Sequence, residues 1–325
     1  MLQRFLDYIA IERKYSSRTV ETYGDDLREF CEFMATNEDF AREVAVPGNA
    51  QPWQIVGEDD VRMWVFSLTE GGTDRKKNSP RSVHQKLSAL RSFYKFLLQQ
   101  GIVSRDVTRR VMLPKVDKPL PKFFKPHEME AFESNVEEPL RSMSKKDVDI
   151  PFEELRDALI IEVLYQTGMR QAELLGLKDT DWNLSQGSVR IFGKRRKERI
   201  VPVGDNLIAQ IETYLKARDA WLGGKSAPAF FVRRDRQDEV VPMSSDTLYK
   251  IVRTRMGEVS TQKKRSPHVL RHTFATTMLN NGADIRTIQT LLGHASLRAT
   301  QIYTHATFKQ MQDVYDKAHP RARQK

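Results

Sequence analysis

Apolar residues recur every three or four positions in four segments of the first hundred residues, which is the spacing of one buried face of an α-helix. The second segment can be capped by Ser16 or Ser17, the third follows Gly57, and the fourth opens at Pro80. A loop with proline and glycine, VAVPGNAQPW, separates the second from the third. The pattern predicts four amphipathic helices packed as an all-α bundle. Their apolar positions are Leu2, Phe5, Leu6 and Ile9; Val20, Tyr23, Leu27, Phe30 and Met34; Val61, Trp64, Val65 and Leu68; and Val83, Leu87, Leu90, Tyr94 and Leu97.

A proline-rich stretch, VMLPKVDKPLPKFFKP, follows the predicted bundle. Prolines at this density interrupt helices and sheets, so the stretch predicts an extended connector. A chain of 325 residues is long for one hydrophobic core and sufficient for two domains. We therefore predict an N-terminal domain over residues 1–114, a linker over 115–125 and a second domain over 126–325.

The second domain mixes helical and strand patterns. SVRIFGKRRKERIVPV alternates apolar and polar residues around a basic turn, which predicts a β-hairpin, and FFV predicts a further short strand. The polar stretch over 134–154 predicts a surface loop, and a partial helical pattern runs from Phe308 into the tail. Further helices are predicted over 126–132, 155–165, 206–221 and 245–256. The fold class expected is mainly α, with a four-helix N-terminal domain and a mixed α/β C-terminal domain that contains a small hairpin sheet.

Composition narrows the cellular setting. No run approaches the roughly 20 apolar residues of a membrane-spanning helix, and acidic residues in the first helix argue against a signal peptide. The single cysteine, Cys31, excludes an intramolecular disulfide framework and a cysteine-built zinc site, and its position on an apolar stripe predicts a core residue. We expect a cytoplasmic protein without a membrane partner.

The net charge of +10 and the pI of about 9.5 favour a polyanionic partner, although ribosome-associated and merely soluble proteins share this balance. Ten basic residues against two acidic ones lie from Asp74 to Arg110; such a run is usually a solvated face, yet it also suits phosphate contacts. Further basic residues that suit phosphate contacts lie at the hairpin tip and in the segment MSSDTLYKIVRTR. Arg255 of that segment is also a candidate for a phosphate contact. The candidate phosphate contacts are Arg75, Lys76, Lys77, Arg81, Lys86, Arg91, Lys95, Arg195, Arg196, Lys250 and Arg253.

The candidate chemistry lies in SPHVLRHTFATTMLNNGADIRTIQTLLGHASLRATQIYTHA. His268 and Arg271 are three residues apart, so we expect both to project from one helix face, away from an apolar stripe at every fourth residue from Leu270. A turn is predicted at Gly293, before His294. A single histidine on a helix is usually a surface or core residue, and a tyrosine after an isoleucine is more often a core aromatic. Individually, these residues do not identify a site.

The order H-x-x-R, L-L-G-H and then Tyr resembles the tyrosine recombinase (phage integrase-like) family. The strings HVLRHTFAT, LLGHASLRATQIYTH and TGMRQAELLGL are similar to the Xer-type branch, and the resemblance covers almost the whole chain. It implies an N-terminal bundle and a catalytic domain that clamp duplex DNA, with a C-terminal tail that docks into a neighbouring protomer. The catalytic residues that it implies are Arg170, Lys194, His268, Arg271, His294 and Tyr303.

These residue types suit the cleavage of a phosphodiester. Arginines at 170 and 271 would neutralise the phosphate oxygens, because the planar guanidinium matches two of them. Tyr303 would be the nucleophile, His268 the candidate base and Lys194 the acid for the leaving 5′-oxygen. The product would be a 3′-phosphotyrosine, so neither ATP nor a metal nor another cofactor is expected. His272 and His305 are predicted to be structural or supporting residues.

The resemblance implies a site-specific recombinase acting as a homo- or hetero-tetramer with a related recombinase on two double-stranded DNA sites, through a Holliday junction. Resolution of chromosome dimers at the nucleoid is the expected role, with a cell-division DNA translocase as a further candidate partner. An integrase of a mobile element is the alternative within the family, and the absence of an arm-binding domain before Leu2 weighs against it. A non-catalytic architectural DNA-binding protein and a type IB topoisomerase are the alternatives outside the family.

Overall fold

The computed structural model describes residues 1–44, 52–71, 77–116, 122–137, 151–193, 198–293 and 305–322. The chain forms two compact units, Met1–Pro119 and Leu120–Lys325. The division falls inside the predicted linker, while the limits 1–114 and 126–325 stay predictions. None of the described helices is long and apolar enough to cross a membrane.

The N-terminal unit contains the four predicted helices and two that the sequence pattern missed. The predicted inward residues of the third and fourth are all buried. The short helix after Met34 begins where the Asn37 carboxamide accepts a bond from the Phe40 N–H, and Phe40 packs edge-on against Trp53 at 5.6 Å. Aromatic packing therefore stabilises two helices too short to form alone. Both overlap the predicted loop, since the first ends at Val44 and the second begins at Pro52. The helices are α1 Leu2–Ile11, α2 Ser17–Met34, α3 Glu38–Val44, α4 Pro52–Ile55, α5 Glu58–Glu70 and α6 Pro80–Gln99.

Serine caps and aromatic packing define this bundle. Ser16 Oγ accepts the Thr19 N–H at 3.2 Å, which decides between the two predicted caps of α2. In the core, the rings of Phe30 and Trp64 meet edge-on at 4.9 Å. Cys31 packs against this core, as predicted, but is only partly buried. Burial raises the pKa of its thiol to about 11, which leaves the sulfur protonated.

The second unit is built around one buried helix, Phe152–Thr167, in which twelve residues are buried. Both ends of the predicted 134–154 loop are helical, because a π-helical turn, Glu133–Glu137, extends the first helix and Phe152 starts the next; residues 138–150 lie outside the described ranges. The helices of this unit are α7 Pro126–Phe132, α8 Phe152–Thr167, α9 Gln171–Leu175, α10 Asp205–Leu222, α11 Ser245–Val259, α12 Pro267–Asn280, α13 Ile285–Leu292 and α14 His305–Ala318.

Two small antiparallel sheets complete the unit. Strands β1 Trp182–Asn183, β2 Ser188–Phe192 and β3 Glu198–Pro202 form the first, with Ile191 opposite Arg199. The hairpin is therefore confirmed, although its tip over 194–197 lies outside the described residues. Strands β4 Val232–Arg234 and β5 Val240–Pro242 form the second sheet. The two phenylalanines of the predicted FFV strand are buried but precede the strand.

The C-terminal segment packs on its own unit through residue 322. The hydroxyl of Tyr315 donates to the Gln166 carboxamide oxygen at 3.1 Å, and the ring of His319 stacks on that of Tyr315 at 5.0 Å. Arg321 is bound to the carboxylate of Glu162 and donates to the Met129 carbonyl at 2.8 Å. The segment is thus part of the core of the second unit, while its predicted docking into a neighbouring protomer stays a prediction.

Candidate active site

Arg170 stands at a turn between two helices. Helix α8 ends at Thr167, and its C-cap is Gly168, whose φ of 58° lies in the left-handed region. A Cβ atom there would come within 2.5 Å of the Phe274 ring, so the turn requires glycine. Arg170 is the N-cap of α9, and its side chain is 46% exposed while its Nη1 donates to Glu173 Oε1 at 2.8 Å. The turn places Arg170 at the helix start, and its bond to Glu173 leaves part of the guanidinium open to an incoming anion.

Arg271 lies on α12 and is only 7% exposed. Its Nη1 donates to the carbonyl of Gly168 at 2.6 Å and its Nη2 to the carbonyl of Leu292 at 2.7 Å. These carbonyls terminate α8 and α13, where helices leave acceptors unsatisfied and carry partial negative charge. The expectation that this arginine points away from the apolar side is therefore wrong, because two helix ends draw it inward. Burial and the nearby charge of Arg170 lower its pKa to about 10, so it stays protonated at neutral pH.

His268 and His272 lie one helical turn apart on α12, with their Nε2 atoms 3.1 Å apart. At this distance one Nε2 can donate to the other, and the tautomers of the two rings decide which one donates. Burial, then the charges of the partner histidine and of Arg271, lower the pKa of His268. Burial and Arg271 likewise lower the pKa of His272. His268 remains exposed, as predicted, and the HVLRH spacing was the sequence signal for this pairing.

A buried ion pair, missed by sequence reasoning, lies behind Arg170. Glu173 is 8% exposed and accepts bonds from the Arg199 guanidinium at 2.7 and 3.1 Å. Its Oε2 also accepts the backbone N–H of Arg170 at 2.8 Å. Burial alone would raise the pKa of this carboxyl, but the bonds from the two arginines outweigh it and hold the pKa below its ordinary value. Glu173 therefore remains a carboxylate and fixes the start of α9.

Three of the predicted catalytic residues, Lys194, His294 and Tyr303, lie outside the described residues. Described elements adjoin each of them in the chain: β2 and β3 flank the hairpin tip, α13 precedes His294, and α14 begins two residues after Tyr303. The structure brings together Arg170, His268 and Arg271. Within the described ranges, no group of three or more histidine, cysteine, aspartate or glutamate residues could hold a metal ion.

Residues 131–310 match the phage integrase family, and residues 2–101 match the N-terminal SAM-like domain of phage integrases. The chain belongs to the phage integrase family. The XerC tyrosine recombinase of Chlorobaculum parvum is 35% identical to it over 332 residues, which cover 99% of this chain and 94% of that protein. The XerD tyrosine recombinase of Halalkalibacterium halodurans is 36% identical to this chain over 324 residues, which cover 99% of this chain and 98% of that protein. This integrase-family chain is thus a tyrosine recombinase of Xer type.

The same fold occurs in the XerH recombinase bound to a palindromic difH substrate, with a TM-score of 0.63, 21% identity, and coverage of 97% of this chain and 84% of that one. It also occurs in the Tn1549 transposon integrase in complex with transposon right end DNA, with a TM-score of 0.63 and 18% identity over 96% and 98% of the two chains. These likenesses confirm the fold class predicted for this tyrosine recombinase.

The candidate DNA contacts of the recombinase that the structure describes fall into two groups. Exposed positions without an ion pair to another described residue are Lys77, Arg81, Lys95, Lys250 and Arg253. Lys86 instead bonds the carboxylates of Asp26, at 3.3 Å, and Glu29, while Arg91 donates to the Val111 carbonyl at 3.2 Å. Arg255 pairs with Glu154 and Glu258. Arg75, Lys76, Arg195 and Arg196 lie outside the described residues.

Proposed function

We propose that this chain is a site-specific recombinase that cuts and rejoins duplex DNA through a covalent 3′-phosphotyrosine. The observation that carries the proposal is the position of Arg271, which joins the end of α8 to the end of α13. Arg170 lies two residues beyond the first contact and His294 two residues beyond the second. Two guanidinium groups and a histidine are thereby assigned to one phosphate-binding site.

The reaction uses the two arginines as fixed positive charges. Arg170 keeps donors beyond the one that bonds Glu173, and Arg271 is held without freedom to turn away. Their planar groups bind the non-bridging oxygens of the scissile phosphate and stabilise the charge that builds up there in the transition state. Because these donors are in place before the substrate arrives, little reorganisation accompanies the reaction.

Proton transfer is assigned to His268 and Lys194. A free tyrosine phenol has a pKa of about 10, so attack by Tyr303 at neutral pH requires the cationic cluster and a base. A lowered pKa keeps His268 neutral and able to accept the phenolic proton. The tyrosine oxygen then bonds to phosphorus, the bond to the 5′-oxygen breaks, and Lys194 donates a proton to that oxygen. Attack by another 5′-hydroxyl reverses these steps and joins a new strand.

The partner is double-stranded DNA, and exposed basic residues such as Lys77, Arg81 and Lys95 supply affinity that does not depend on sequence. Strand exchange between two sites requires four protomers, either of this chain alone or together with a related recombinase. Resolution of chromosome dimers in the cytoplasm is the role that we assign, with a cell-division DNA translocase as a candidate activator.

The decisive experiment traps the covalent intermediate. A duplex selected by its binding to the protein is nicked near the candidate cleavage point, so that the short cleaved fragment diffuses away, and is incubated with protein in EDTA. We expect a slowly migrating protein–DNA band on a denaturing gel, and its loss in Tyr303→Phe. Tight binding without a covalent band, alone or with a paralogous recombinase added, would instead support an architectural DNA-binding protein.

The cellular role is tested separately from the chemistry. Deletion of the gene should leave chained or unsegregated chromosomes if the enzyme resolves dimers, whereas loss of element mobility without a segregation defect would indicate a mobile-element integrase. Relaxation of any supercoiled plasmid, without preference for a site, would indicate a topoisomerase.

A further inference from the structure

Arg199, in strand β3, is a basic residue that the proposed chemistry does not use. It is 4% exposed, so its charge is not available to DNA at the surface. Its Nε donates to the Leu291 carbonyl at 2.6 Å, and its Nη1 and Nη2 donate to the two carboxylate oxygens of Glu173 at 3.1 and 2.7 Å. All three guanidinium nitrogens therefore bond groups of the protein itself.

These bonds join three separate parts of the catalytic unit. Glu173 holds both the backbone N–H and the side chain of Arg170. Leu291 lies in the last turn of α13. Two residues later, Gly293 packs against the Arg199 side chain, and a Cβ atom on Gly293 would lie 3.2 Å from that side chain. Strand β3 itself forms one arm of the hairpin whose tip contains Lys194. Arg199 thus links three elements. Its guanidinium bonds α9, which starts after Arg170, and α13, which precedes His294, and its own strand β3 follows the hairpin tip that contains Lys194.

The geometry of the contacts requires arginine. A bidentate bond to a carboxylate and a third bond to a carbonyl need donors in a rigid plane, which a lysine ammonium cannot supply. The site is also desolvated, so a carboxylate deprived of this partner would be costly to keep charged.

We propose that Arg199 is a positioning residue that sets the relative placement of Arg170, the hairpin and the end of α13, and so assembles the active site without touching the substrate. The assignment rests on the proposed recombinase function. A displacement of about 1 Å in such a site is enough to slow a reaction by about 100-fold. Cleavage should therefore depend on Arg199 far more than DNA binding does.

The test compares Arg199 with Arg218, another buried arginine of the same unit. Arg218 is 3% exposed, bonds both oxygens of Asp179 at 2.8 and 2.7 Å and donates to the Phe230 carbonyl, away from the candidate site. We expect Arg199→Lys and Arg199→Ala to slow formation of the covalent adduct on the nicked duplex by about 100-fold, with DNA affinity changed less than about threefold. Arg218→Lys should cleave at the wild-type rate. Equal rates in the two lysine variants, or a parallel loss of affinity and cleavage in Arg199→Lys, would overturn the proposal.

A second measurement is independent of activity. Hydrogen exchange of the DNA-free protein should become faster over residues 285–293 and 171–175 in Arg199→Ala and stay unchanged there in Arg218→Ala. Unchanged exchange in Arg199→Ala would overturn the positioning role even if cleavage is lost. If the wild-type protein forms no adduct, alone or with a paralogous recombinase added, the recombinase proposal fails, while this measurement still decides whether Arg199 holds α9 and the end of α13 in place.

Discussion

The two units of the chain use basic side chains in opposite ways. In the N-terminal unit, Lys77, Arg81 and Lys95 are exposed on or beside one helix. In the catalytic unit, Arg199 and Arg271 are nearly buried, and each nitrogen with a described bond donates to a helix-end carbonyl or a carboxylate. A net charge of +10 therefore describes two different things, a field that attracts DNA and an internal framework that places catalytic groups.

The largest contrast should appear when a buried arginine is removed. Arg271→Ala takes donors from two helix-end carbonyls and a charge from the phosphate site, so we expect a loss of about 2–3 kcal/mol in the free energy of unfolding and a fall in adduct formation on the order of 10²- to 10³-fold. Chemical denaturation and the nicked-duplex assay measure the two effects. Arg156→Ala is the control, since Arg156 is buried against Asp157 and the Val232 carbonyl. If it reduces cleavage as much, the loss reflects stability rather than chemistry.

The next effect is a loss of stability in acid that originates in the catalytic unit. His319 is fully buried; its Nδ1 accepts the Arg321 N–H at 3.2 Å and its Nε2 faces the Tyr165 carbonyl at 3.4 Å, so protonation of Nδ1 would break the first bond. Burial lowers its pKa to about 4, whereas the unfolded chain binds this proton at about 6.5.

Between these two pH values the unfolded state binds more protons, so the free energy of unfolding should fall as pH decreases, by up to about 1.4 kcal/mol per pH unit. Denaturation curves of wild type and His319→Gln, recorded from pH 7 to pH 4, measure this slope. A slope as steep in His319→Gln as in wild type would show that another group causes it.

A smaller effect should follow removal of surface charge in the N-terminal unit. The triple substitution Lys77→Ala, Arg81→Ala, Lys95→Ala should reduce the slope of log affinity against log salt by about 0.9 per phosphate contact and leave the melting temperature unchanged. Fluorescence anisotropy at several salt concentrations gives the slope. Lys86→Ala is the contrasting variant: because Lys86 neutralises Asp26 and Glu29, it should lower stability more than it changes the salt slope. The opposite result would place Lys86 among the DNA contacts.

The smallest effect concerns the histidine pair. After burial, His272 is the strongest influence that lowers the pKa of His268, so His272→Asn should raise that pKa. The neutral base would then be lost at a higher pH, and the acidic limb of the cleavage–pH profile should move upwards while the rate on the alkaline side stays the same. Single-turnover rates across pH measure the shift. An acidic limb that does not move would show that His272 does not influence the pKa of His268.

The fold could be predicted from the sequence where a single helix buries one apolar face in the core of its own unit. The stripes of α5 and α6 are buried at every predicted position, because helical periodicity directly reports which face is apolar. Helices α3 and α4 were not predictable, since their stability comes from contacts between aromatic rings distant in sequence.

In the candidate site, too, features set by local sequence could be predicted, and contacts between residues distant in sequence could not. The turn at Gly168 and the helix start at Arg170 follow from local sequence, whereas the bond between Glu173 and Arg199 joins residues 26 apart. The sequence shows Arg199 only as one more basic residue of the hairpin, because composition does not distinguish a buried guanidinium from an exposed one. The inward direction of Arg271 likewise depends on two helix ends that meet only in the folded unit.

The packing of the C-terminal segment on α8 also orders events during protein synthesis. Tyr315 and Arg321 complete a core whose other helices are translated earlier, so the catalytic unit cannot reach its final packing until residues 305–322 have been made. The N-terminal bundle contains its own core and can fold while the ribosome is still translating the rest. A nascent chain would therefore acquire its DNA-attracting surface before its cutting centre, which gives the cell an interval in which the protein cannot cleave.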